Sequence, residues 1–370
     1  MKIVSLWVCA AVLLAVAPCR AQSGPVDEQW RPRGIYSLMW APHALRQGVP
    51  PCFELDYIDG ATLYMPWAEI EPEPGNIRWE LIDNCLDVAR REGKVVNLGF
   101  FGGHYAPQWV IDNCPTWTNP SQHMHAGMSA NNAAAKVVYP LPWTDEYLDP
   151  WFTFIGKVAE RYGDDSNVGY LMLSGPGGQA IEMGYRIKDE HFEDFREKSG
   201  YSARKIIDAW KRVIDFYAKC WTHKPVCINI AMIPGDKGTK KTMQVPLAVE
   251  AYALEVFGDR ALFINTYLNA IWFEKQDMKK PGDHAAPMVY HFRALSNYAT
   301  TGGEMFWSSS EPDESVNGPL GGALQVGDEW GMTFFHVYQS DIAPFGATEP
   351  RPDYARAMRQ ERERLGLTSE

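Results

Sequence analysis

Past its first twenty or so residues, this 370-residue chain has no apolar run approaching the ~20 residues that a membrane-spanning helix requires. It is also short of positive charge: 35 Lys and Arg stand against 46 Asp and Glu, a formal net charge of −11. That balance argues against nucleic acid, which would select a basic face, and against sulfated or uronic polymers unless cations gather locally. Cysteines number 7, and those past residue 21 (Cys52, Cys85, Cys114, Cys220 and Cys227) have no zinc-knuckle spacing. No low-complexity linker divides the chain. Gly175-Pro176-Gly177-Gly178 matches neither the dinucleotide nor the nucleotide-triphosphate loop, which weighs against a doubly wound open sheet.

What is present begins with Lys2, the apolar run Ile3 to Val16, and Cys19-Arg20-Ala21 before Gln22. This reads as a secretory signal peptide over residues 1–21, so the expected location is secreted or periplasmic. Pro18 stands where a small residue is wanted, which disfavours a lipid anchor on Cys19. Cleavage would remove Lys2 and Arg20, moving the formal charge from −11 to −13. In an oxidising compartment a short-loop disulfide between Cys220 and Cys227 is plausible, as is pairing of Cys52 with Cys114, while Cys85 on a helix face reads as a buried free thiol.

Short apolar runs alternate with amphipathic helices throughout residues 22–370. The expected strands are Gly34 to Trp40, Gly60 to Trp67, Val95 to Phe101, Val168 to Ser174, Val226 to Ile233, Ala261 to Thr266, Glu304 to Ser309 and Thr333 to Gln339. Between and after them, helical spacing recurs at Trp79 to Arg91, Glu146 to Tyr162, Ser202 to Trp221, Val245 to Phe257, Pro287 to Thr300, Leu320 to Trp330 and Asp353 to Leu365. Eight such units predict a single (β/α)8 barrel, with chemistry at the carboxyl ends of its strands. That position selects Glu69, Glu71, Glu182, Asp236, Glu274, Glu311, Asp313, Glu314 and Asp341 from the acidic residues. Aromatic content of 13%, with 14 Trp, supplies ring faces of the kind that stack on sugars as well as core.

The run Tyr64-Met65-Pro66-Trp67-Ala68-Glu69-Ile70-Glu71-Pro72, followed by Gly75, Trp79, Asp83, Gly93-Lys94-Val95 and Pro107-Gln108-Trp109, resembles the second and third βα units of clan A glycoside hydrolases. It is most similar to the barrel of family 42 β-galactosidases and their relatives. The resemblance implies a retaining glycosidase acting on O-glycosidic bonds of an oligo- or polysaccharide without a cofactor. It also implies an acid/base carboxyl after strand four and a nucleophilic one after strand seven, facing each other across one sugar bond.

Here the chain departs from the family. Asn-Glu is usual at the end of strand four, whereas Ser174-Gly175 stands there, with Glu182 reached only through the Gly-rich turn. Glu182 is the acid/base candidate; its alternative is a helix N-terminal Glu stabilised by the dipole. After strand seven Glu311 is the preferred nucleophile, because Glu304 precedes the apolar residues and would face the structural end of the barrel unless the strand begins earlier. Trp67, His104, Trp109, Tyr267 and Trp307 fall at or just past strand ends as candidate substrate-binding rings, and Tyr267 resembles the Tyr that orients the clan's nucleophile. Glu69, Glu71 and Pro72 read as a brace for the second loop. The walls of the cleft are expected from the long loops Asn113 to Trp143 and Glu182 to Tyr201.

Two other classes stay open at this level. One is a non-catalytic sugar-binding barrel that has lost a carboxylate. The other is a metal-dependent hydrolase, for which strand one supplies only His43, and His123 and His125 lie in a polar loop.

Overall fold

The computed structural model describes residues 31–40, 48–49, 51–120, 137–177, 183–185, 187–236, 241–270, 286–306, 308, 318–342 and 351–367. In chain order its strands are β1 (Gly34–Trp40), β2 (Gly60–Pro66), β3 (Val95–Phe101), β4 (Thr116–Asn119), β5 (Val137–Pro140), β6 (Val168–Leu173), β7 (Val226–Asn229), β8 (Ile233–Pro234), β9 (Lys241–Thr242), β10 (Ala261–Leu268), β11 (Thr300–Met305) and β12 (Phe334–Tyr338). β4 with β5, and β8 with β9, form antiparallel ribbons. The other eight close a barrel in the order β1-β12-β11-β10-β7-β6-β3-β2, every pair parallel.

These strands are apolar on both faces because both are covered. Inward-pointing Tyr36, Leu38, Tyr64, Phe101, Tyr170, Met172, Cys227, Leu262, Ile264 and Phe334 fill the barrel. Outward residues such as Ile35, Leu63, Leu98 and Phe263 pack under the helices. The long helices are α1 (Glu80–Arg91), α2 (Asp145–Tyr162), α3 (Asp189–Ser199), α4 (Ala203–Cys220), α5 (Gln244–Phe257), α6 (Ala286–Leu295), α7 (Leu320–Glu329) and α8 (Pro352–Arg364). In α1 the buried set is Ile82, Cys85, Leu86 and Ala89, the stripe that three-and-four spacing prescribes, with Glu80 and Asp83 in the first turn and Arg90 and Arg91 in the last.

The eightfold alternation is therefore as expected, but the fifth barrel strand stops at Asn229, with Ile233 in the separate β8 ribbon, and three further differences stand out. The seventh barrel strand runs from Thr300, not Glu304, and ends at Met305. Its Thr-Thr-Gly-Gly opening carries no apolar signal, because the barrel demands small residues there: a Cβ on Gly302 would sit 2.4 Å from the Phe334 ring. The stretch from Glu182 to Tyr201, read as loop, contains α3, whose acidic first turn and basic last turn suit a helix. Finally, Cys52, Cys85, Cys114, Cys220 and Cys227 are free thiols, so neither expected disulfide exists. Cys227 points into the barrel while Cys220 ends a helix outside it. Cys52 lies beside Lys94 at the amino end of β3, whereas Cys114 follows the carboxyl end of β3 and the short helix Gln108–Ile111.

Among the described residues no helix is long and apolar enough to cross a membrane.

Candidate active site

Glu304 is the fifth of six residues in β11, so it lies near the carboxyl end of the seventh barrel strand, not at the structural end. It is the ladder partner of His336 on β12 and is 5% exposed. Its Oε2 accepts hydrogen bonds from two sides. The Tyr64 hydroxyl on β2 donates one, and His336 Nδ1 lies 3.1 Å away. Oε1 takes no hydrogen bond among the described residues, and the only ion pair there is the one with His336.

His336 is fully buried, with Nε2 2.5 Å from the Tyr170 hydroxyl and 3.0 Å from Thr62 Oγ1. Asn97 Nδ2 donates to Thr62 Oγ1 at 3.2 Å. Burial, and next the Glu304 charge, push the Tyr64 phenol well above its ordinary range; burial above all, with Glu304 adding to it, does the same to Tyr170. Both are therefore neutral hydroxyl donors at any ordinary pH. Two further polar side chains lie at the carboxyl ends: Asn229 closes β7 with neither amide atom hydrogen-bonded among the described residues, and Thr266 Oγ1 on β10 is likewise unpartnered.

The end of β6 explains the missing Asn-Glu. Gly175 has φ +125°, and a Cβ on it would lie 2.5 Å from Trp151 Nε1. The Tyr147 hydroxyl staples this backbone, donating to the Gly175 carbonyl at 2.7 Å and accepting from Gly103 N–H at 2.8 Å. No side chain, carboxylate or otherwise, fits at position 175 without rearrangement.

Of the candidate rings, Trp67 is fully buried, stacked on Phe154 at 5.6 Å and edge-on to Trp109, Tyr147 and Trp151. It offers no open face to a sugar and belongs to the core. Trp109 is half-buried against it, and its Nε1 donates to the Glu71 carbonyl at 3.3 Å. Glu71 is the brace the sequence suggests: 3% exposed, it accepts from Trp67 Nε1 and Gly75 N–H, both at 2.8 Å. His104 and Tyr267 are half-buried past β3 and towards the end of β10; His104 packs on Tyr105 at 4.0 Å and Tyr267 stacks on Phe306 at 5.6 Å. Trp40 joins this mouth, edge-on to Phe101 at 4.9 Å and 6.0 Å from Tyr105.

Asp236 accepts from Ala203 N–H at 2.7 Å at the start of α4, and buried Asp341 accepts from Ser308 Oγ at 2.6 Å. Glu182, Glu311 and Trp307 lie outside the described residues, as do Glu274, Asp313, Glu314, His43, His123 and His125. Among the described residues no three His, Cys, Asp or Glu side chains are grouped to hold a metal.

Sequence reasoning missed Tyr64 and His336 as site residues. Their signal was strand alternation, which puts both on inward-facing positions of β2 and β12.

Residues 58–219 match the family model described as β-galactosidase of glycoside hydrolase family 42. No curated protein matches the sequence. Among solved structures the chain is similar to the β-galactosidase of the psychrophilic Marinomonas ef1, with TM-score 0.56 and 14% identity over 90% of this chain and 61% of that one. It is similar as well to the β-galactosidase of the Antarctic haloarchaeon Halorubrum lacusprofundi, with TM-score 0.55 and 12% identity over 91% and 58%. A family 10 endo-β-1,4-xylanase from Gloeophyllum trabeum aligns over 92% of this chain and 98% of its own, with TM-score 0.53 and 13% identity. The chain thus spans about three fifths of the length of the two β-galactosidases. In fold over nine tenths of its length, and in sequence over residues 58–219, the chain is similar to the TIM-barrel glycosidases typified by the family 42 β-galactosidases.

Proposed function

We propose that the protein is a retaining glycoside hydrolase acting on O-glycosidic bonds of an oligo- or polysaccharide, with Glu304 as the carboxylate of the seventh strand. The observation that carries this reading is the environment of Glu304: one oxygen held by two donors, the other open, near the carboxyl end of β11. In this reaction Oε1 attacks the anomeric carbon as the bond to the leaving oxygen breaks, and an acid carboxyl gives that oxygen its proton. Water, deprotonated by the same group, then releases the sugar from Glu304.

For the acid/base we propose Glu182. It is the first carboxylate in the chain after β6, seven residues beyond Gly175, where no side chain fits. Glu311 is the second choice for the nucleophile. The half-buried aromatics Trp40, His104, Trp109 and Tyr267, together with Trp307, are proposed to line the sugar cleft, and the unpartnered amide of Asn229 adds polar capacity at the same end. Residues 1–21 are proposed to be a cleaved export signal, which N-terminal sequencing of the mature protein tests.

The direct test is release of reducing ends from a panel of polysaccharides and of nitrophenol from a panel of aryl glycosides, with Glu304→Gln, Glu182→Gln and Glu311→Gln beside the wild type. Loss in the Glu304 and Glu182 variants, with folding intact, supports the assignment. Loss in Glu311→Gln with Glu304→Gln active moves the nucleophile to Glu311. Binding without release by the wild type makes this a sugar-binding barrel.

A further inference from the structure

We infer that Tyr64 and His336 form a two-donor clamp that commits Glu304 to a single attacking oxygen, with His336 acting as a positioning residue that donates from Nδ1 and accepts from Tyr170 on Nε2. This inference rests on the reading of Glu304 as nucleophile. It concerns residues on β2 and β12 that no comparison assigns a role.

The argument is one of donors and acceptors. A carboxylate only accepts, so the two groups on Glu304 Oε2 must both donate: the Tyr64 hydroxyl and His336 Nδ1–H. A neutral imidazole with its proton on Nδ1 has its lone pair on Nε2, and that lone pair faces the Tyr170 hydroxyl at 2.5 Å. Tyr170, protonated because it is buried, donates to it. Thr62 Oγ1 lies 3.0 Å from the same nitrogen and accepts from Asn97 Nδ2. Thr62 Oγ1 is also 3.4 Å from the Tyr170 hydroxyl, so with Tyr170 donating to His336 the chain Asn97, Thr62, Tyr170, His336, Glu304 carries its hydrogens in one direction, towards the carboxylate.

Packing holds the ring as firmly. Tyr170 lies end-on to the imidazole through its hydroxyl, the two rings nearly coplanar at 17° with centroids 6.3 Å apart, while Tyr64 meets it edge-on at 80° and Phe334 is tilted to it at 6.0 Å. The other titratable neighbours, Tyr64, Tyr170 and Cys227, are all pushed upward by burial and carry no charge. No Lys or Arg pairs with Glu304 among the described residues. With no cation in the pair, the carboxylate depends on these two hydrogen bonds. With both on Oε2, only Oε1 is free to form the bond to carbon.

Two measurements on the full chain test this. Long-range ¹H–¹⁵N spectra of protein labelled at histidine, with His336 assigned by loss of its signal in His336→Asn, should report a single neutral tautomer protonated on Nδ1 and displaced in Glu304→Gln. A proton on Nε2, or a mixture of tautomers, overturns the clamp whatever the activity. On whichever aryl glycoside the wild type cleaves, Tyr64→Phe and His336→Leu should each lower kcat about 10- to 100-fold with KM little changed. His336→Asn, which keeps an N–H close to the place of Nδ1, should recover most of that loss. Full kcat in His336→Leu, or a His336→Asn as slow as His336→Leu, overturns the positioning role. Absence of turnover by the wild type on every glycoside removes the hydrolase reading, and the tautomer then decides the clamp by itself.

Discussion

Glu304 on β11 and His336 on β12 are direct partners in a parallel ladder, and the imidazole Nδ1 of the second lies 3.1 Å from a carboxylate oxygen of the first. Adjacent positions on neighbouring strands bring the two side chains to the same inward-facing level, so the pair is a property of strand register. A shift of one residue in either strand would turn its side chain out of the barrel.

Replacing Glu304 with Gln keeps an oxygen that accepts from both Tyr64 and His336, so the variant should fold. It should lose glycosidase activity by on the order of 10³-fold or more, because the amide is no nucleophile. Circular dichroism beside initial rates checks both halves, and activity within tenfold of wild type sinks the assignment.

Gly175→Ala forces a Cβ into Trp151 at a backbone angle that L-residues rarely adopt. The expected loss is about 2–3 kcal/mol of stability from strain and overpacking, read as a lower urea midpoint with unchanged slope. Gly175→Glu, which puts a carboxylate just after β6, should not recover activity in a Glu182→Gln background.

Glu71→Ala strands the Trp67 indole N–H in the core and frees the turn at Gly75. A loss of about 2–4 kcal/mol is expected, since a buried charged acceptor of two donors disappears. Thermal unfolding checks this; a change in melting temperature below one degree would show that the brace is dispensable.

Glu361 on α8 is fully buried, with Oε1 unpartnered and Oε2 2.8 Å from Arg364 Nη1. Burial, partly offset by Arg364, raises its carboxyl from 4.5 to about 7. Between those values the folded state holds a proton that the unfolded state has lost, so this group's contribution to stability falls as pH rises from 4.5 to 7 and stays flat above. Glu361→Gln should equal wild type near pH 4 and exceed it by about 1–3 kcal/mol at pH 8. Denaturation curves at the two pH values decide it.

The five described cysteines are free, and Cys52, Cys85 and Cys227 are buried with thiols pushed upward by burial. Reducing agent should leave the melting temperature unchanged. Those three thiols should react with a disulfide reagent only on unfolding. A drop in melting temperature on reduction would contradict the free-thiol arrangement.

Much of the architecture is legible in the sequence. Strands buried on both faces read as apolar runs, and α1 shows its core stripe directly in Ile82, Cys85, Leu86 and Ala89. Glu71 was legible as a brace because the residues that use it, Trp67 and Gly75, lie within one turn. Where sequence reasoning slipped, long-range packing had replaced the local signal. The Thr-Thr-Gly-Gly opening of β11 looks like loop, yet Phe334 from the next strand requires those small residues, and the misplaced boundary carried Glu304 to the wrong end of the barrel. Trp67 looked like a cleft residue at a strand end, but α2 covers it from outside with Trp151 and Phe154.

The sequence by itself determined the alternation of strand and helix, and so the closed parallel barrel, because periodicity and burial are local properties of each segment. Only the tertiary structure decided which side chains meet inside it. Tyr64, Tyr170, Glu304 and His336 come from four strands up to 272 positions apart in the chain, and it is closure of the barrel, with each strand's inward alternation, that sets them within hydrogen-bond distance.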